Sequence, residues 1–230
     1  MRHSLVLLPL ALALCGLPAA RADDAQKGVP EGFTALFNGK DLTGWKVLGG
    51  KKEAWGADKD ILYVQGGGGG WLMTEKEYAD FDLRLEFKMP KKGNSGVALR
   101  SPFKGNPAYA GMEIQLLDDA WHKAHLKGLR PTQLTGSIYD VVPPSKDALK
   151  PIGQWNKMRI VAKGRHVTVE LNGTKIVDAN LDDYKDRVKA DPDNKKAAHP
   201  GLAREKGFLG LQSHTDRVEF RNIYVKSMDK

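Results

Sequence analysis

Apolar and polar residues alternate with a period of two along most of this chain. In Phe81-Asp82-Leu83-Arg84-Leu85-Glu86-Phe87-Lys88, four apolar side chains point one way and four charged ones the other, the pattern of a half-buried strand. Residues 158–163 and 166–171 repeat it, with Gly164-Arg165 as the turn between them. Asn172-Gly173 then turns the chain into residues 174–177; Asn-Gly between alternating runs is the strongest short hairpin signal, because both turn positions need positive φ. Further strands fit residues 61–64, 97–100, 112–117, 208–214 and 218–225. The last run changes parity across Arg221-Asn222, which predicts a bulge there.

No long stretch has helical periodicity, and about ten short strands punctuated by Gly and Pro predict an all-β sandwich or barrel. The alternation places Phe81, Leu83, Leu85, Phe87, Ile160, Val169, Leu171, Leu209 and Leu211 in one core between two sheets. With no internal repeat and no change of composition, one domain is expected over residues 23–230. Residues 104–109 and 120–145 read as loops. Residues 182–206 read as a charged insertion with one short helical turn. Long loops on a sandwich sit at its rim and often carry function.

The first residues change the picture of where the fold works. Met1-Arg2-His3 is a basic start, residues 4–14 are an almost unbroken apolar run, and Ala20-Arg21-Ala22 follows Pro18. This predicts a signal peptide over residues 1–22, and an exported protein of the periplasm or the extracellular space. The apolar run falls short of the ~20 residues of a membrane span. Leu12-Ala13-Leu14-Cys15 outlines a lipobox, but Leu14 stands where a small residue is expected. Cys15 is the only cysteine, so the cleaved chain has no disulfide, thiol nucleophile or cysteine-bound metal. The net charge of +8 becomes +6 without Arg2 and Arg21. Lysines occur at most in adjacent pairs and alternate with acids, the pattern of a solvated surface and not of a nucleic-acid site.

Candidate chemistry lies in polar residues whose strand neighbours are apolar. Glu113 and Gln115 share a face opposite Ile114 and Leu116, and Gln212 and His214 share one opposite Leu209 and Leu211. Arg100 ends the strand that follows Asn94-Ser95-Gly96, and Arg221 alternates with Phe220. These faces could simply be solvated, as half-polar strands often are. Gln, His, Arg and Glu together can nevertheless orient hydroxyls and move protons. Trp71 or Trp121 could stack on a sugar ring or fill core. Gly66 to Gly70 lack a following Gly-Lys-Ser/Thr and read as a flexible hairpin, not a phosphate loop. His122 and His125 give weak metal spacing, and no H-E-x-x-H or G-x-S-x-G occurs, so neither cofactor nor metal is expected. Glu113 and Asp118 are about 16 Å apart along one strand, too far for a two-carboxylate glycosidase.

Ordered motifs go further. They run from Gly32-Phe33-Thr34-Ala35-Leu36-Phe37-Asn38-Gly39-Lys40-Asp41-Leu42-Thr43-Gly44-Trp45 through G-N-S-G-V-A-L-R (93–100), G-M-E-I-Q-L-L-D (111–118), T-G-S-I-Y (135–139) and G-Q-W-N (153–156) to G-L-Q-S-H-T-D-R-V-E-F-R-N-I (210–223). With them the chain resembles the 3-keto-disaccharide hydrolase family over nearly its whole mature length. The resemblance implies a concanavalin-like jelly-roll β-sandwich of two antiparallel sheets, export, and action on glycosides whose glucose ring carries a ketone at carbon 3. Met112 stands where the family has an aromatic residue, and Thr215 where it has Gly. A ketone at carbon 3 acidifies the proton on carbon 2, so a base can remove it, the carbon 1 substituent can leave, and water can add to the enone. Residue chemistry then proposes Glu113 or His214 as base and Arg100 as enolate or hydroxyl anchor. Gln115, Gln212, Tyr139, Asn94, Arg221 and Trp71 would bind a small carbohydrate substrate. The alternative is a carbohydrate-binding module of the same fold without chemistry.

Overall fold

The structure, a computed structural model, describes residues 28–189 and 198–229. The expected signal peptide, its cleavage point and Cys15 lie outside the described residues, as does part of the charged insertion. Among the described residues, thirteen strands form two antiparallel sheets. In chain order they are β1 (Thr34–Ala35), β2 (Trp45–Leu48), β3 (Trp55–Asp58), β4 (Ile61–Val64), β5 (Trp71–Tyr78), β6 (Phe81–Lys88), β7 (Asn94–Ser101), β8 (Met112–Leu117), β9 (Trp155–Lys163), β10 (His166–Leu171), β11 (Thr174–Asn180), β12 (Gly207–Gln212) and β13 (Val218–Ser227). An eight-stranded sheet has the order β11-β10-β9-β6-β13-β4-β3, with β1 on β13. The five-stranded sheet has the order β2-β5-β12-β7-β8.

The two sheets pack on the faces that alternation marked as apolar. All nine expected core residues belong to one cluster and are no more than 2% exposed. On β6 alone, Phe81, Leu83, Leu85 and Phe87 point inward, each worth about 1.5–3 kcal/mol of burial. The β10–β11 hairpin turns at Asn172 (φ 51°) and Gly173 (φ 80°), the left-handed pair that Asn-Gly supplies. The bulge expected in β13 is present: its register on β6 shifts between Arg221 and Tyr224, with Asn222 at φ 51°.

Four strands escaped the sequence pattern. β1 has only two residues, β2 and β3 four each, and β5 mixes faces: Trp71 to Thr74 are all buried because both sides of the strand are covered. Residues 66–70 are not a hairpin. They link β4 in one sheet to β5 in the other. The segment read as a loop over 120–145 contains α2 (Asp119–His125) and a short extended stretch at Ile138 bridged to Ile114 of β8. A second short helix, α1 (Pro107–Ala110), follows β7 and lies against β7, β8 and residues 200–203. Among the described residues no helix is long and apolar enough to cross a membrane.

Candidate active site

The outer face of the five-stranded sheet carries two rows of side chains that cross the strands. In the first, register pairs Met73 of β5 with Gly210 of β12, Gly210 with Ala98 of β7, and Ala98 with Glu113 of β8. Tyr139 completes it, donating its backbone N–H to the Glu113 carbonyl at 2.8 Å beyond the β8 edge. In the second row Trp71 pairs with Gln212, and Gly96 with Gln115. Gln212 faces Gly96 one step beyond the Leu211–Val97 pair. Ser137 lies next to Gln115, whose N–H it receives at 3.1 Å. Glycines at the middle of both rows leave the centre of the face without side chains of its own.

Glu113 uses that space. A Cβ built on Gly96 would stand 2.7 Å from the Glu113 carboxyl carbon, so the carboxyl group lies over Gly96, between Gln115 and Gln212. Glu113 is 2% exposed, and its Oε1 is buried without a hydrogen-bond partner. Burial pushes its pKa from 4.5 up to about 8. Gln212 Oε1 and Ser137 Oγ are likewise buried and unpartnered on this face. Gln115 Nε2 donates to Asn94 Oδ1 at 3.4 Å. Buried polar groups without partners are rare in folded proteins, and three on one face make a site that a polyhydroxylated ligand can satisfy.

Aromatic residues wall the face. Trp71, Met73, Ala98 and Ala108 form a second apolar cluster, flanked by Leu48, Tyr109, Tyr139 and Phe208. Tyr109, on α1, meets Tyr139 edge-on at 6.2 Å and His199 at 4.9 Å. His199 is 1% exposed, and burial, with the Arg187 charge nearby, lowers its pKa to about 4. Beside Trp71 and Gln212 opens a cleft of about 390 Å³, bordered by the backbone of Gly68, Gly69 and Gly70 and by His214. β12 ends at Gln212, so His214 is not held by strand alternation. It is exposed at the cleft rim, and its Nδ1 lies 3.4 Å from Thr215 Oγ1.

Thus Glu113, Gln115, Gln212, Asn94, Tyr139 and Trp71 come together, with His214 on the rim. Two expected residues do not. Four residues of β7, Ala98 to Ser101, span the same ladder as three of β12, Phe208 to Gly210, and Arg100 takes the extra place with φ 47°. This bulge turns its side chain off the polar face. Fully buried, Arg100 donates to Ala79 O (2.8 Å), Gly164 O (2.7 Å) and Asp80 Oδ1 (3.1 Å), tying the β5–β6 and β9–β10 turns together. Arg221 lies on the other sheet, where Nε donates to Glu86 Oε2 at 2.8 Å and the guanidinium sits 4.1 Å from the Trp155 ring centre.

The weak His/Asp spacing is structural. Asp118 caps α2, accepting from Trp121 N at 3.1 Å. Asp119 Oδ1 accepts from Thr135 N and Oγ1, both at 3.0 Å, and His125 stacks on Trp121 at 4.3 Å. Tyr109, Ser137 and His199 escaped sequence reasoning. The alternation of Ser137 with Ile138 and Tyr139 was the available signal for Ser137. Nothing in the charged insertion marks His199 as buried.

The profile of the 3-keto-alpha-glucoside-1,2-lyase-like domain matches residues 32–226. A 3-keto-disaccharide hydrolase of Bacteroides thetaiotaomicron is 30% identical, across 93% of this chain and 84% of its own. A crystal structure of a candidate glycosyl hydrolase from Parabacteroides distasonis is 28% identical with a TM-score of 0.72, covering 92% of this chain and 99% of that one. A carbohydrate-binding module from Bacillus subtilis, 12% identical with a TM-score of 0.52 over 80% of this chain and 96% of its own, shares the sandwich fold alone. The chain therefore belongs to the 3-keto-alpha-glucoside-1,2-lyase-like family and is a carbohydrate-active enzyme of the hydrolase type.

Proposed function

We propose that this enzyme acts outside the cytoplasm on 3-keto-glycosides, with Glu113 as the base that removes the proton from carbon 2. The observation that carries this reading is the Glu113 carboxyl group itself, buried, with Oε1 unpartnered, and laid over Gly96 between two amide side chains. The ketone makes the carbon 2 proton acidic enough for a carboxylate to remove. The resulting enolate expels the carbon 1 oxygen. Water then adds at carbon 1, while Glu113, whose proton exchanges with solvent during the lifetime of the enone, protonates carbon 2, which restores the enzyme and completes a net hydrolysis.

Gln115, Gln212 and Asn94 surround the carboxyl group with amides that can donate to the enolate oxygen and accept from ring hydroxyls. They replace Arg100 in that role, since its donors are committed elsewhere. Trp71 offers an apolar ring face at the cleft. A carboxyl group with a pKa of about 8 is the stronger base once ionised, and low-dielectric surroundings favour its protonated product. His214 stands exposed at the cleft rim and not on the buried face beside Glu113. Turnover of 3-keto-glycosides by the wild type and by Glu113→Gln tests the reading: the substitution should lower kcat by a factor of about 10² or more. Undiminished turnover would remove Glu113 from the mechanism.

A further inference from the structure

We infer that Tyr109, placed over the site by α1, is the acid that protonates the departing carbon 1 oxygen; this rests on Glu113 being the carbon 2 base. Glu113 rises from the sheet, whereas Tyr109 comes from a helix laid across that sheet, packed with Ala108 near the Trp71–Met73–Ala98 cluster. In an α-linked glucoside the carbon 2–hydrogen bond and the carbon 1–oxygen bond are both axial and point to opposite faces of the ring. Base and acid must then stand on opposite sides of the sugar, one on the sheet and the other above it. Tyr139 extends the same sheet edge as Glu113 and so stands on the base's side of the sugar, where it fits the acid role less well.

The surroundings keep the Tyr109 phenol protonated. Burial is the largest influence raising its pKa above 10, followed by Tyr139, Asp140 and Glu113. The ring it packs on, His199, is neutral at pH 7 and offers no positive charge to stabilise a phenolate. In the step itself the carbon 1–oxygen bond breaks with both electrons on oxygen, which takes the phenolic proton. The water that attacks carbon 1 then returns a proton to the phenolate.

The test is a leaving-group series of 3-keto-α-glucosides, from an acidic nitrophenol to methanol, with wild type and Tyr109→Phe. A good leaving group needs no acid. The variant should therefore turn over the methyl glucoside about 10²-fold more slowly than wild type, but the nitrophenyl glucoside only a few-fold more slowly. Because each comparison is a ratio within one variant, it does not depend on the folded fraction. An equal loss across the series, or no loss, overturns the acid role while leaving the proposed function intact. Failure of the wild type on every member overturns both.

Discussion

The Glu113 carboxyl group lies over Gly96 of the neighbouring strand, which has no side chain to occupy that space. Gly96 does not have a positive φ, so alanine is conformationally acceptable there and its methyl group acts only by displacing the carboxyl group. Gly96→Ala should therefore cost activity comparable to Glu113→Gln while preserving the cooperative unfolding transition. Kinetics together with a thermal melt would check this, and a fully active Gly96→Ala would mean that the carboxyl position is not critical.

Protonation of Glu113 sets a pH dependence. Its folded pKa of about 8 exceeds the unfolded value of 4.5. The associated stability is complete below about pH 4.5 and is lost progressively up to about pH 8, at about 1.4 kcal/mol per pH unit. Glu113→Gln removes that dependence, so the variant should melt higher than wild type by a margin that widens from pH 5 to pH 8. His199 acts in the opposite direction: its pKa, lowered to about 4, withdraws stability as pH falls below 6.5. If Glu113 is the base, kcat/KM should rise with pH through about 8 and level off above it. Parallel melting curves for wild type and Glu113→Gln at both pH values would contradict the assignment of a strongly raised pKa.

Arg100 should be a stability residue. Its guanidinium is buried and spans Ala79, Asp80 and Gly164. Arg100→Met leaves those acceptors without their donor and should cost about 1–3 kcal/mol, the scale for leaving buried acceptors unsatisfied. Activity per folded molecule at low temperature should stay within a few-fold of wild type. Urea unfolding and active-site titration measure both quantities. A loss of turnover without loss of stability would return Arg100 to the site.

The contrast between Arg100 and Glu113 shows how far the sequence could be read. Period-two alternation found the core of β6, β9, β10 and β12 because those strands have one dry face and regular pleating. It found Glu113, Gln115 and Gln212 for the same reason. Arg100 was misplaced because one extra residue in β7 inverts the parity, and no sequence feature marks that bulge. Arg221 was misplaced because alternation identifies a face of a strand but not which sheet the strand joins. His199 reached its buried position through packing of the 200–203 segment on Gly111, a long-range event with no local pattern.

His214 provides a separate check on the base. It is exposed at the cleft rim, beside Gln212 and Trp71, so His214→Asn should raise KM more than it lowers kcat. Turnover slowed by about 10²-fold or more, with KM unchanged, would make His214 the base instead.

Deuterium incorporation at carbon 2 examines the proposed chemistry most directly. The enzyme is incubated in deuterated water with a 3-keto-glucoside and with its unoxidised parent, and the recovered substrate and the 3-keto-glucose product are analysed by mass spectrometry and NMR. The expected result is deuterium at carbon 2 of the 3-keto product with wild type, at least about 10²-fold less with Glu113→Gln, and no cleavage of the parent glycoside. Cleavage of the parent at a similar rate, or release of 3-keto-glucose without any deuterium at carbon 2, would contradict removal of the carbon 2 proton by Glu113.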